Sequence, residues 1–268
     1  MSSGELSAYS DEVRRVAERV SKARRVACLT GAGISAESGI PTFRGAQGFW
    51  AGRRAEELAT PEAFARDPED VWKFYFWRRG LLREKRPNAG HHALAAMEAK
   101  AAEFTLITQN VDDLHRLAGS RNVLEVHGNI WIDRCTGCGQ EVRRTIEDHS
   151  DEIPWCGACG AMMRPGVVWF GEMLPDGVFE RAQSAAGNCD VMFVVGTSSV
   201  VYPAASLGSW AKANGAFVVE VNPDDTPLSG VVDVRFPFAS GAVLPAITNA
   251  LSAIRELNRG SVSARGAG

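Results

Sequence analysis

The chain contains no run of about eighteen apolar residues, so its sequence offers no membrane-spanning helix. Met1 to Ser10 is mostly small and polar, with no basic start and no apolar core, which argues against a secretory leader. A disulfide framework is missing as well. Of six cysteines, four fall into two Cys-x-x-Cys pairs, a pattern that reads as metal binding in a reducing compartment. Neither sign of charge is in large excess: the net charge is −3 and the isoelectric point about 6.0. Neither a membrane surface nor direct contact with nucleic acid is therefore expected. Internal repeats and low-complexity stretches are absent. These exclusions together predict a cytoplasmic protein.

What is present fits an ordinary globular chain. Hydrophobic residues make up 45% and charged residues 23% of 268 positions, enough for one large domain and a smaller one. Short β-branched runs recur, each closed by a polar or glycine-rich loop. Arg25–Thr30 leads into Gly31, Phe104–Thr108 into Gln109, and Val123–Val126 into His127. Val191–Val195 leads into Gly196, Phe217–Val221 into Asn222, and Val232–Phe236 is a sixth run. Apolar residues at helical spacing fill Asp11–Arg24, Asn88–Lys100, Phe179–Ala186, Ala204–Asn214 and Val243–Leu257. The alternation predicts an α/β fold: a Rossmann-like, doubly wound parallel sheet with ligands at the strand ends.

Two stretches break the alternation and read as insertions that build a smaller zinc-binding and helical domain. The expected division places 1–47, 88–129 and 170–258 in a discontinuous Rossmann-like domain. A helical insertion (48–87) and a zinc module (130–169) form the small domain, and 259–268 is a flexible tail.

Gly31-Ala32-Gly33-Ile34-Ser35-Ala36 fits G-x-G-x-x-A after a strand. Such a loop lets a pyrophosphate approach the backbone closely, although the same glycines also serve a plain turn. A dehydrogenase would place an acid about twenty residues further on, at the next strand end. Here Gly48 to Arg53 has no acid, and a long loop, Glu37 to Gly45, intervenes. That loop could cover a cofactor, with Arg44 reaching a phosphate or ribose; a surface arginine is the alternative. Gln109, Asn110, Asp112, Asp113 and His115 crowd one strand end and His127 the next. A histidine there suits a general base near neutral pH, or a hydrogen-bonded structural role. His91, His92 and His149 read as surface or packing residues.

Cys135-x-x-Cys138 and Cys156-x-x-Cys159 are separated by residues 139–155, seventeen positions. Four thiolates at this spacing close a tetrahedral shell, which makes a structural zinc site rather than a catalytic one. Cys28 and Cys189 read as packing residues.

Taken together these stretches resemble the sirtuins over nearly the whole chain, from about Arg24 to Leu257. The resemblance rests on Gly31 to Arg44, Thr108-Gln-Asn-Val-Asp-Asp-Leu-His115, His127-Gly128 and the four cysteines. It extends through Val168-Trp-Phe-Gly-Glu172, Gly196-Thr-Ser-Ser199 and Val221-Asn222. It implies NAD as co-substrate, an acyl-lysine protein or peptide as partner, and one structural zinc. By this resemblance Gly31, Ala32, Gly33, Ser35, Phe43 and Arg44 hold the pyrophosphate and cover the ribose. Gln109, Asn110 and Asp112 line the nicotinamide pocket. Gly196, Thr197, Ser198 and Asn222 hold the adenosine half, with Ser240 beside adenine. His127 is the general base, with Asn110 beside it in the chemistry. Val168, Phe170, Gly171 and Glu172 pair with the substrate peptide as a strand. The implied products are free lysine, nicotinamide and O-acyl-ADP-ribose. Mono-ADP-ribosyl transfer from NAD is the alternative activity.

Tyr75 and Arg78, three residues apart, share a face if Val71–Arg79 is helical. A phenol and a guanidinium converging in an apolar pocket would bind a carboxylate, although the spacing alone equally suits an aromatic packing face. The sequence resembles the sirtuin subgroup with Tyr-x-x-Arg here, and small Ala59 matches that subgroup's widened acyl pocket. This implies a preference for succinyl-, malonyl- or glutaryl-lysine.

Overall fold

The computed structural model describes residues 6–41, 49–50 and 52–265. Helix α1 (Ser10–Lys22) buries Val13, Val16, Ala17 and Val20 at helical spacing and leads into β1 (Arg25–Thr30). A one-turn helix α2 (Gly33–Ala36) follows at once. A two-residue hairpin, β2 (Phe49–Trp50) and β3 (Arg53–Arg54), precedes the helices α3 (Ala55–Leu58), α4 (Pro61–Arg66) and α5 (Pro68–Arg83). Both α4 and α5 begin with proline, and side chains cap each: Thr60 accepts from the Ala63 amide and Asp67 from that of Asp70. The chain continues through α6 (Ala89–Glu98), β4 (Glu103–Thr108), α7 (Leu114–Leu117) and β5 (Val123–Glu125). Three strands of a separate sheet come next: β6 (Gly128–Cys135), β7 (Glu141–Arg143) and β8 (Met163–Val167). Helix α8 (Val178–Asn188), β9 (Val191–Val195), α9 (Ser206–Ala213), β10 (Phe217–Val221), β11 (Val234–Phe236) and α10 (Ser240–Arg265) complete it.

The large sheet is parallel, in the order β11-β10-β9-β1-β4-β5. The order reverses between β1 and β9, so the crevice beyond their carboxyl ends is the expected ligand position of a doubly wound sheet. Strands β9 and β10 are buried throughout, as a sheet covered on both faces requires. One face packs under α1, α6 and α10; the other packs under α8 and α9. Helix α10 runs to Arg265, so residues 259–265 continue the helix where small polar composition predicts a frayed tail. No proline follows Pro245 within it, and helix propagation costs little once the first turns are docked. Among the described residues, no helix is long and apolar enough to cross a membrane.

The small antiparallel sheet, in the order β7-β6-β8, packs against α5. Two buried links join them. The Trp72 indole donates to the Met163 carbonyl at 3.0 Å. Arg79 donates to the Ile130 carbonyl at 2.8 Å and to Asp133 at 2.6 Å, while Arg144 bonds the other Asp133 oxygen at 2.6 Å. Asp133 is fully buried and the Arg79 side chain only 5% exposed. Breaking a buried pair by removing one partner leaves the other charge stranded, at a cost of about 3–5 kcal/mol. Asp133→Ala is therefore expected to lower stability by about that amount, read as an earlier midpoint in urea unfolding. A change below roughly 1 kcal/mol would mean that solvent reaches the pair.

Candidate functional site

Three loops meet at the reversal of the sheet. Gly31 and Gly33 after β1 and Gly196 after β9 touch backbone to backbone. A Cβ on Gly33 would lie 2.7 Å from the Gly196 Cα, and one on Gly196 2.4 Å from the Ile34 nitrogen. Gly196 also has φ of +58°. No side chain fits at this crossing, and the glycine pattern has a steric cause here.

The loop after β4 is pinned across that crossing. Gln109 Nε2 donates to Thr197 Oγ1 at 2.9 Å. Asn110 Nδ2 donates to the Gly31 carbonyl at 3.1 Å and to Ser35 Oγ at 3.2 Å. Ser35 Oγ in turn donates to Asp112 Oδ2 at 2.7 Å, and the Leu114 amide donates to Oδ1 at 3.0 Å. Ser35, Asn110 and Asp112 are all buried. Burial raises the Asp112 carboxyl above its ordinary value, and the two donors only partly offset this. Asp113 adopts φ of +69°, a conformation its short polar side chain tolerates. Its carboxylate accepts from Asn129 at 2.9 Å and Arg143 at 2.7 Å, which holds the turn.

On the other side of the crossing, Asn222 Nδ2 donates to the Thr197 carbonyl at 2.8 Å. Ser198 is exposed beside buried Thr197. Ser240 begins α10 and donates weakly to Glu37 at 3.4 Å, with the Gly241 amide on the same oxygen at 2.7 Å. Phe43 and Arg44 lie outside the described residues.

His127 lies half-buried in the turn between β5 and β6, its Nδ1 3.1 Å from the Gln109 carbonyl. A carbonyl can only accept, so Nδ1 carries the proton and the neutral ring keeps its lone pair on Nε2. Burial holds the imidazole below its ordinary 6.5, against the opposing pull of that carbonyl. Its backbone carbonyl receives the Val168 amide at 2.9 Å, which ties His127 to the segment after β8. Val168 to Glu172 is not itself a strand. Trp169–Glu172 closes a β-turn, with a 3.0 Å backbone bond and Gly171 at φ of +87°. Glu172 points inward to Arg164, at 2.5 and 2.9 Å, and to the Trp169 amide at 2.8 Å. It holds this turn in shape, while Phe170 and Gly171 are exposed on it.

Trp169 links that turn to the acyl-pocket candidates. Its indole donates to the Tyr75 hydroxyl at 2.9 Å, and the Phe170 amide donates to the Ala59 carbonyl at 2.9 Å. Because Tyr75 accepts from Trp169, its own proton is left to donate elsewhere. Burial pushes the phenol up to about 12, so it remains protonated. Arg78 is drawn electrostatically toward both Tyr75 and Asp112, while burial lowers its guanidinium below the usual range. Helix α5 does place Tyr75 and Arg78 together, on the wall next to Asp112.

Sequence reasoning read His91 only as a surface or packing residue. It is fully buried, caps α6 with Asn88, and lies 3.4 Å from Ser35 Oγ. The signal was present: Asn88 followed three residues later by a side chain able to accept is a capping-box pattern.

The four cysteine sulfurs lie within 4.8 Å of one another, with Cys135–Cys159 at 3.4 Å and Cys138–Cys156 at 3.6 Å. A zinc ion with bonds of about 2.3 Å spaces its sulfurs about 3.8 Å apart, so the cluster fits one tetrahedral ion. The Gly137 and Cys138 amides point at Cys135 Sγ, from 3.3 and 3.4 Å, as donors to a thiolate do. A closed all-thiolate shell leaves no position for substrate.

A model of the Sir2 family matches residues 31–203, about two thirds of the chain. The chain belongs to the Sir2 family. It is 53% identical over 211 residues to an NAD-dependent protein deacylase of Aquifex aeolicus, covering 79% of this chain and 88% of that one. It is 48% identical over 244 residues to one of Pyrococcus furiosus, covering 89% and 98%. The fold superposes on a Sir2 homologue in complex with NAD at a TM-score of 0.83 and 45% identity, covering 90% of this chain and 94% of that one. An ADP-ribose complex of a Sir2 homologue gives 0.86 and 44%, covering 91% and 98%.

Metal analysis of the purified protein is expected to give about one zinc per chain, lost together when Cys135 and Cys156 are both replaced by serine. Chelation should lower the unfolding midpoint. Retention of full zinc in that double variant would place the ion elsewhere.

Proposed function

We propose that this Sir2-family chain removes acyl groups from protein lysines with NAD as co-substrate, and that it prefers acidic acyls: succinyl, malonyl and glutaryl. The observation that carries the reaction is His127. One nitrogen is committed to the Gln109 carbonyl, the other keeps a lone pair, and the ring is held neutral at the mouth of a three-loop floor. NAD lies with its pyrophosphate over Gly31–Ser35, its adenosine half toward Thr197 and Asn222, and its nicotinamide toward Gln109, Asn110 and Asp112. The acyl-lysine peptide runs along Val168–Gly171. A solved Sir2 structure holding a deacetylated peptide and an acetyl-ADP-ribose supports an acyl-lysine peptide as partner and acyl-ADP-ribose as product; it is 31% identical, with a TM-score of 0.78 over 88% of this chain and 97% of that one.

Chemically, the acyl oxygen displaces nicotinamide from the ribose carbon, and His127 Nε2 takes a proton from a ribose hydroxyl as it attacks the resulting imidate. The imidazolium returns that proton to the lysine amine as it leaves, and water opens the cyclic acyl-ribose cation that remains, so that one NAD, one acyl-lysine and one water give lysine, nicotinamide and O-acyl-ADP-ribose. Tyr75 and Arg78 support the acyl preference. Both sit on a largely apolar wall, the phenol has a proton to donate, and a guanidinium offers paired donors to a carboxylate.

Incubation with NAD and matched acetyl- and succinyl-lysine peptides, followed by mass spectrometry, tests both levels. Loss of acyl should need NAD and yield acyl-ADP-ribose, and His127→Ala should abolish it. The acid limb of kcat/KM should fall below pH 6.5, because the base form is lost only as pH drops through a depressed histidine value. ADP-ribose left on protein would instead indicate transfer. Tyr75→Phe with Arg78→Met should cost succinyl turnover about 2–5 kcal/mol, roughly thirty-fold or more, while sparing acetyl. Equal loss of both acyls would discard the carboxylate pocket and leave the deacylase.

A further inference from the structure

Two buried imidazoles lie behind Asn110, with ring centroids 4.8 Å apart. His91 Nδ1 accepts from the Asn88 amide at 3.3 Å, an amide that can only donate. In the neutral ring the proton therefore sits on Nε2, which faces Ser35 Oγ at 3.4 Å. Ser35 has already given its single proton to Asp112, so it receives from both His91 and Asn110. The second ring repeats the logic. Thr30 Oγ1 donates to Thr108 Oγ1 at 2.8 Å, so His115 Nε2, at 2.9 Å from Thr30, is the donor. Thr108 Oγ1 then accepts the Asn110 backbone amide at 3.1 Å. One imidazole thus fixes the Asn110 and Asp112 side chains through a serine, and the other fixes the Asn110 backbone through two threonines.

We propose that His91 is a positioning residue for the reaction: its Nε2–H sets the direction of the Ser35–Asp112 hydrogen bond and thereby the shape of the pocket that receives nicotinamide. His115 serves the same residue from the backbone side. The inference rests on reading Asn110 and Asp112 as the nicotinamide wall. It distinguishes two roles of His91, since the Nδ1 acceptor belongs to the helix cap and the Nε2 donor to the site.

The two roles separate by substitution. In His91→Asn the amide oxygen can take the place of Nδ1 and keep the cap, but nothing reaches Ser35. In His91→Gln the side-chain nitrogen can take the place of Nε2 and restore the donor. Full-length protein is assayed for kcat and KM with NAD and an acyl-lysine peptide that the unaltered enzyme turns over. Nicotinamide inhibition, NAD binding by calorimetry and the melting midpoint are measured alongside. His91→Asn should lose about tenfold in kcat and weaken nicotinamide inhibition similarly, the scale of one buried hydrogen bond and its stranded partner. NAD binding should stay within about threefold, because the adenosine half is held by another loop. His91→Gln should recover most of both losses. A folded His91→Asn variant with unchanged kcat and inhibition overturns the proposal, as does His91→Gln behaving no better than His91→Asn. Where His91→Asn fails to fold, His91→Gln decides alone: near-normal kcat supports the inference and a tenfold loss overturns it. Asn110→Ala and Asp112→Asn serve as the control on the underlying reading. If neither alters nicotinamide inhibition, the pocket assignment falls, and this inference with it. If both do and His91→Asn does not, only the positioning role falls.

Discussion

The close contact between two glycine loops at the reversal of the sheet sets everything else in the site. Gly33 and Gly196 approach so closely that any Cβ would collide with backbone, which cannot move aside as a flexible side chain can. The loops after β1 and β9 therefore form one floor rather than two. The loop after β4 is clipped to both halves of that floor, through Asn110 to Gly31 and through Gln109 to Thr197. Those two neighbouring residues span the crossing, so the candidate nicotinamide and adenosine sides are held at a fixed distance. The Gln109 carbonyl then orients His127, and the His127 carbonyl anchors the segment that begins at Val168. Each step is a hydrogen bond that ties one loop to the next through backbone or side chain, which is how a loop acquires the precision of a strand.

Burial acts on three histidines in the same direction and gives them different uses. His91, His115 and His127 are all held below the ordinary histidine value by loss of solvent. In His91 the value falls to about 4, and both ring nitrogens are engaged, so the ring is a fixed donor and acceptor. His127 is only half-buried and one nitrogen is left uncommitted, which is the condition for a base. A lowered value alone would not separate a scaffold histidine from a reacting one. The count of committed nitrogens separates His91 from His127, while His115, whose Nδ1 also has no partner among the described residues, is set apart from His127 by its deeper burial.

The parts of this fold written in local sequence were readable from it. Runs such as Val191–Val195 and Phe217–Val221 are buried strands because both faces of a parallel sheet are covered, and their continuous apolar character says so. The cysteine pairs were legible because a tetrahedral ion dictates their spacing. What escaped depends on residues far apart in the chain. His91 meets Ser35 across 56 positions, and no periodicity in either segment records the encounter. Asp133 meets Arg79 across 54 positions in the same way. Glu172 reads in the sequence as part of a peptide-pairing stretch, and nothing local records that paired donors from Arg164 and the Trp169 amide turn its side chain inward. A carboxylate follows its nearest donors, and those are set by tertiary contacts.

Trp169 shows how the two halves of the molecule come to share one pocket. Its amide is held by Glu172, its ring lies 3.4 Å from the Arg164 guanidinium, and its indole proton is given to Tyr75. Tyr75 is on α5, which Trp72 and Arg79 fasten to the strands that carry Cys135 and Met163. Met163 packs directly on Cys135 and Cys156. The wall bearing Tyr75 and Arg78 thus reaches the metal cluster through one rigid helix and one hydrogen-bonded indole. Because that wall is anchored outside the glycine floor, its side chains can vary without disturbing the grip on Gly31, Gly33 and Gly196. The glycine floor is set by backbone sterics and tolerates almost no change, whereas the wall beside it is set largely by side chains of α5. One scaffold can therefore keep its floor while the chemistry of the neighbouring wall changes.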